Sequence, residues 1–298
     1  MIGDFRIALL ESGLLFETGV DGLYLRSGAF ENIVRGIDDL VTKAGSDQDA
    51  STLYFPPVIP RTVLEHSGYL RAFPDLMGSI DVFEGDEALY AELMKRFEAG
   101  EEWTGLLTAS NLTLCSAACH PLYPLCRGRL PSGGRRFEVF GHCFRNEPSL
   151  DPARMQTFRQ HEFVYVGEPE GAVAHRDIWL ERSAGLLSEL GLSIDKVVAN
   201  DPFFGRGGRM LASTQRAEEL KYEVVCTLEA ESAPTAVSSS NYHLDHFAVE
   251  FGIETAAGEV AHSACVGFGV ERITLALLAA HGLDADNWPI KVRKRLWP

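Results

Sequence analysis

The sequence has no Cys-X-X-Cys pair, no apolar run near the ~20 residues of a membrane-spanning helix, and no basic segment opening its N-terminus. The first absence excludes a self-contained zinc knuckle, and the second a helical membrane anchor. The third argues against a signal peptide, since MIGDFRIALLESG carries Asp4 and Glu11 and no early Lys. A cytoplasmic protein with no membrane partner is expected. Basic residues are scarce too: 27 Lys and Arg stand against 42 Asp and Glu, a net charge of −15 over 298 residues. A grip on a large RNA calls for a clear basic surface, so tRNA is not the expected main partner. No internal repeat is present, which excludes a solenoid.

Apolar residues make up 46% of the chain, enough for a substantial core. Phe30–Ala44 places Ile33, Val34, Ile37, Leu40 and Val41 at helical spacing. Thr52–Pro60 reads as extended and ends on proline. Arg136–Arg145, Gln156–Val166, Asp195–Asn200 and Leu220–Glu229 read as strands, and Leu244–Glu250 alternates as an antiparallel strand does. Ala172–Leu192 and Val270–Ala280 read as helices. The pattern predicts an α+β fold, an antiparallel sheet flanked by helices. Residues 1–298 are expected to form one catalytic domain with no RNA-binding appendage.

Val139–Phe163 carries the densest chemistry. One strand ends in Phe144-Arg145-Asn146-Glu147, and the next carries Phe158-Arg159-Gln160-His161-Glu162-Phe163. Residues two apart on a strand share a face, so Arg145 and Glu147 are expected to point together. A guanidinium can fork onto a phosphate and a carboxylate, and a carboxylate can accept from an adenine amine. Downstream, Gly267-Phe268-Gly269-Val270-Glu271-Arg272 opens an apolar helix with a second arginine.

FRNE, RQHEF and GFGVER, in that order, resemble motifs 2 and 3 of the class II aminoacyl-tRNA synthetases, and the helix and extended segment before Pro60 resemble motif 1. Ser238–Tyr242 and Leu220–Glu223 are similar to seryl-tRNA synthetase segments. Three positions depart from the ordinary seryl pattern: Cys119 in AACHPL, Glu162 in RQHEF, and Cys265 ahead of motif 3. Cys119, Glu162 and Cys265 resemble the zinc ligands of the atypical seryl enzymes and of their truncated relatives, the amino acid:carrier-protein ligases. The chain is most similar to the ligases.

The resemblance implies ATP-dependent activation of glycine or alanine and transfer to the phosphopantetheine thiol of a carrier protein by a homodimer. It leaves open a minimal tRNA-charging enzyme and an inactive regulatory paralogue. It implies catalytic Arg145 and Arg272, and a nucleotide site of Arg145, Glu147, Arg154, Met155, Phe163, Ala236, Val237, Ser238, Ser239 and Arg272. Phe163 is expected to stack on adenine, and Arg145 and Glu162 to hold the amino acid. Zn2+ and Mg2+ are the implied metals. The seryl magnesium ligand is replaced by Ala236, which leaves Glu223 and waters for Mg2+. Arg206 and Arg209, in FFGRGGRM, offer a basic docking spot for an acidic carrier.

Overall fold

The computed structural model describes residues 2–201, 215, 218–229 and 233–298. Its centre is a seven-stranded sheet. The strands are β1 (Ser51–Phe55), β2 (Arg135–Phe144), β3 (Thr157–Gly167), β4 (Ile194–Val198), β5 (Lys221–Cys226), β6 (Thr235–Leu244) and β7 (His262–Gly269). Their order across the sheet is β4-β5-β6-β7-β3-β2-β1. Neighbours are antiparallel except at one edge, where β1 runs parallel to β2. This is the α+β architecture the sequence pattern predicts. A three-stranded sheet around Thr108–Leu114 lies apart from it.

Three helices cover one face: α1 (Gly28–Ala44), α2 (Pro169–Glu189) and α3 (Val270–His281). Ser27 caps α1 by accepting from the Phe30 amide, and Phe30, Ile33, Val34, Ile37, Leu40 and Val41 turn one stripe inward. The main core forms where these helices meet β3, β6 and β7. Trp179 of α2 is fully buried there and stacks on Phe163 with ring centroids 4.3 Å apart. Deleting a ring so placed costs about 3–5 kcal/mol. A smaller core on the other face joins Leu122, Tyr123, Val139 and Phe247.

One expected strand is a helix. His246–Phe251 is α-helical, and β6 ends before it at Leu244, whose φ is +54°. Phe247, Val249 and Phe251 have strand spacing, while Phe247, Ala248 and Phe251 have helical spacing. The second set is buried and Val249 is 60% exposed, so the helical pattern wins. Phe247 stacks on Tyr123 at 3.9 Å, a contact with a distant segment that local alternation does not encode. No helix among the described residues is long and apolar enough to cross a membrane.

Candidate active site

A polar cleft opens on the sheet face away from the three helices, across β3, β5, β6 and β7. Arg145, Met155, Ala236, Val237, Ser238, Ser239 and Arg272, all expected around the nucleotide, line it. The sequence reading missed Phe158, Gln160, Asp201 and Lys221, which line it as well. Arg145 follows the end of β2, and its amide bonds to the Gln156 carbonyl at 2.8 Å. Its guanidinium lies 5.3 Å over the Phe158 ring. Its Nε is buried with no hydrogen-bond partner among the described residues. A buried guanidinium N–H left unpaired costs ~1–3 kcal/mol, which an anionic ligand recovers. Arg272, at the start of α3, donates from Nε to the Ala153 carbonyl (2.8 Å) and from Nη1 to the Ala236 carbonyl (3.1 Å). Burial, with Arg145 and Arg154 nearby, lowers its pKa.

Three expected positions fall elsewhere. Phe163 is buried under α1 and α2, and a Cβ on Gly45 would meet its ring at 2.0 Å. Successive residues on a strand face opposite sides. Phe158, Gln160 and Glu162 therefore look toward the cleft, while Arg159, His161 and Phe163 look toward the helices. Phe158 is the aromatic group on the cleft side. Glu147 and Arg154 do not line the cleft wall; they sit together at its rim, 4.0 Å apart. The chain leaves the β2 ladder at Arg145, where the Glu147 amide bonds back to the Arg145 carbonyl at 2.8 Å, so the two side chains do not share a strand face. Arg206 and Arg209 lie outside the described residues.

Cys119, Glu162 and Cys265 come together from three segments, their ligand atoms all within 4.8 Å of one another and all buried. Cys119 precedes the 3-10 turn His120–Cys126, which is pressed onto β2 where Gly141 has no side chain; a Cβ there would meet Ala118 at 2.8 Å. Glu162 on β3 pairs in register with Gly267 on β7, two residues from Cys265. The trio thus lies beside the cleft floor.

Burial, with the Cys265 sulfur alongside, pushes the Glu162 carboxyl well above the usual carboxylate range. Its Oε2 has no partner among the described residues. The hydrogen bond between the two sulfurs raises Cys119 and lowers Cys265, as one shared proton would. Two thiols and an orphaned buried carboxylate are a poor dry core and a good zinc donor set, and their span suits the ~2.0–2.3 Å bonds of one central ion. His243 lies 3.5 Å from the Cys265 sulfur.

At the other end of the cleft, Lys221 bonds Asp201 at 2.5 Å and Glu223 at 3.1 Å. Burial opposes its charge, but these two carboxylates raise its pKa. Glu223 lines the cleft already tied to a lysine. Cys115 and Cys143, by contrast, bond to the Ala117 carbonyl and the Gln160 side chain and hold the surrounding loop.

Comparison with known proteins places this geometry. The chain is 43% identical to amino acid:acyl-carrier-protein ligase 1 of Bradyrhizobium diazoefficiens over 95% of its own length and 87% of that protein's. The chain belongs to the amino acid:acyl-carrier-protein ligase family. It is 28% identical to the type-2 serine–tRNA ligase of Methanopyrus kandleri, covering 81% of this chain and 50% of that protein. A ligase-family chain thus spans about half the length of that tRNA ligase. Among solved structures, M. kandleri SerRS, in its complex with A. aeolicus tRNASec, superposes with a TM-score of 0.83 at 25% identity, over 99% of this chain and 60% of that one. No protein-family model matches. The fold is that of the class II synthetases.

Proposed function

We propose that the protein activates a small amino acid, glycine or alanine, with ATP and passes it to the thiol of a carrier protein's phosphopantetheine arm. One observation carries the site assignment. The Cys119–Glu162–Cys265 trio adjoins the floor of a cleft whose walls hold Arg145 and Arg272. An amine anchor and a phosphate anchor side by side are what an aminoacyl adenylate needs.

Cys119, Glu162 and Cys265 would hold Zn2+, which would supply a Lewis-acid anchor for the free α-amine of the substrate. Arg145 forks onto the substrate carboxylate and the α-phosphate, drawing them within reach. A carboxylate oxygen attacks phosphorus, and pyrophosphate leaves as the P–O bond breaks. Phe158 gives the adenine a stacking face. Arg154 and Arg272 neutralise the outer phosphates, and Glu147 at the rim accepts from the adenine amine. Glu223 would hold Mg2+, which would neutralise phosphate charge, with Lys221 sharing that carboxylate. The pantetheine sulfur then attacks the acyl carbon, a C–S bond forms, and AMP departs with the C–O electrons.

Homodimer formation is part of the proposal. The parallel edge strand β1 leaves one side open, and its Tyr54 is 75% exposed and stacked on Phe140 at 4.6 Å. An exposed edge of this kind is a pairing surface. Transfer to tRNA is the competing reading, disfavoured by the net charge of −15. A dead paralogue is disfavoured by the unpaired Arg145 Nε. Pyrophosphate exchange across all twenty amino acids, followed by transfer to a holo carrier protein or to tRNA, tests the proposal. Exchange with glycine or alanine and thioester formation are expected. Efficient charging of tRNA at physiological salt would replace it.

A further inference from the structure

A chain of four alternating charges that the proposed chemistry does not use runs from the cleft wall, where Glu271 lines it, back toward α1. Arg159 donates from Nε to Glu271 Oε1 at 2.7 Å, and its own backbone amide donates to Glu271 Oε2 at 2.8 Å. Its two terminal nitrogens fork onto Glu31, Nη1 to Oε2 at 2.6 Å and Nη2 to Oε1 at 2.9 Å. Arg26 closes the chain, bonding Glu31 at 2.8 Å and lying 3.5 Å from Glu271. The four residues come from the segment before α1, from α1 itself, from β3 and from α3. Glu271 is 2% exposed, and the other three are part-buried, Glu31 the most exposed of them.

The sequence neighbours give this network its meaning. The Arg159 amide belongs to the peptide unit that joins Phe158 to Arg159, so Glu271 grips the backbone of the cleft aromatic directly. Glu271 is also the residue before Arg272. One carboxylate therefore ties the backbone of Phe158 to the backbone of Arg272, and Phe158 and Arg272 both line the cleft. Glu271 sits in the first turn of α3, where the helix dipole favours its charge. The bidentate Arg159–Glu31 pair then braces that tie against α1. A lysine at position 159 could not fork bidentately onto Glu31 while also reaching Glu271, because it is a point charge without the planar fork.

Resting on the reading of this cleft as a nucleotide site, we infer that Arg159 and Glu271, braced by Glu31 and Arg26, are positioning residues that set the spacing of Phe158 and Arg272 across the bound nucleotide. They touch neither the reacting atoms nor the amine anchor. Their effect falls on the nucleotide and not on the amino acid.

The test measures ATP affinity by calorimetry, which needs no turnover, beside the KM values of ATP and amino acid in pyrophosphate exchange. Glu271→Gln and Arg159→Lys are expected to weaken ATP binding about tenfold, the effect of ~1.4 kcal/mol. The amino-acid KM should stay within about twofold, and the ratio of ATP to ITP affinity should fall as the base is held less closely. Glu31→Gln, at a partly exposed brace, covers the case in which the buried variants fail to fold; about a threefold loss in ATP affinity is expected. ATP affinity unchanged in all folded variants overturns the inference, as does an equal change in both KM values. A wild type that binds ATP but exchanges with no amino acid overturns the proposed reaction and leaves the positioning role standing. A wild type that binds no nucleotide overturns both.

Discussion

Replacing Arg145 with alanine separates function from stability. The guanidinium is proposed to make two charge-assisted hydrogen bonds, one to the α-phosphate and one to the substrate carboxylate, each of ~1.5–3 kcal/mol. Losing both removes about 3–6 kcal/mol from the transition state, or roughly 150- to 25,000-fold in adenylate formation. The stability effect runs on different terms. In the ligand-free protein Arg145 Nε is buried without a partner among the described residues, which costs ~1–3 kcal/mol that the alanine variant escapes. Against that stands the guanidinium 5.3 Å above Phe158, a contact of ~0.5–2 kcal/mol. The two nearly cancel, leaving a change within ~1 kcal/mol, or within about 2 °C in Tm for a chain of this length. Pyrophosphate exchange and a thermal melt on the same preparation check both halves. Arg145→Lys should recover little activity, for want of the fork. Near-normal exchange in Arg145→Ala would refute the nucleotide assignment. A large fall in Tm would instead mean that Arg145 is a structural residue.

Phe158→Ala should raise the ATP KM with little loss of stability, whereas Phe163→Ala should cost about 3–5 kcal/mol of stability with no selective ATP effect; denaturation and exchange kinetics on the pair decide between the two rings. The native protein should carry about one zinc per chain, and Cys265→Ala should lose metal and adenylate formation together; metal analysis that finds full activity without zinc rejects the trio as a metal site. Burial would raise the Glu138 carboxyl, but hydrogen bonds from His161, Thr42 and Thr52 hold it down to about 2, while Asp38 and Glu138 raise His161 against its burial. The Glu138 contribution is complete above the ordinary carboxylate value of 4.5 and lost as pH falls toward 2; that of His161 is present below 6.5 and lost as pH rises through its raised pKa. The urea midpoint should therefore fall at both ends, and Glu138→Gln should flatten the acid arm; an unchanged acid arm would show that the pair is not the cause. Arg206→Glu should slow transfer to the carrier and spare exchange; equal transfer rates would move the docking site elsewhere.

What was legible in the sequence follows from which physical rule carried each residue. The central strands β6 and β7 were not read as strands. The α+β class, the strands outside that pair and helices α1, α2 and α3 could be read because their periodicities are local. So could the convergence of Cys119, Glu162 and Cys265, but by resemblance: their chain separation holds no geometric hint, and only the fold brings three segments within 4.8 Å. The misreading of Phe163 is different, because the sequence contained its own correction. Adjacent strand residues cannot both face a cleft. Once Glu162 is taken as a ligand, Phe163 must turn to the helices, and the aromatic four residues before Glu162 on the same face is Phe158. Strand parity, applied to RMQTFRQHEF, is sufficient to choose between them. Parity also puts Lys221 and Glu223 on one face of β5, but no local rule could have found Asp201 against Lys221, or Glu271 reaching the Phe158–Arg159 peptide. Those two contacts exist only because β4 pairs with β5 and β7 with β3. The same distinction explains the helix at His246–Phe251. Two periodicities fit its sequence, and the ring of Tyr123, more than a hundred residues away, selects one.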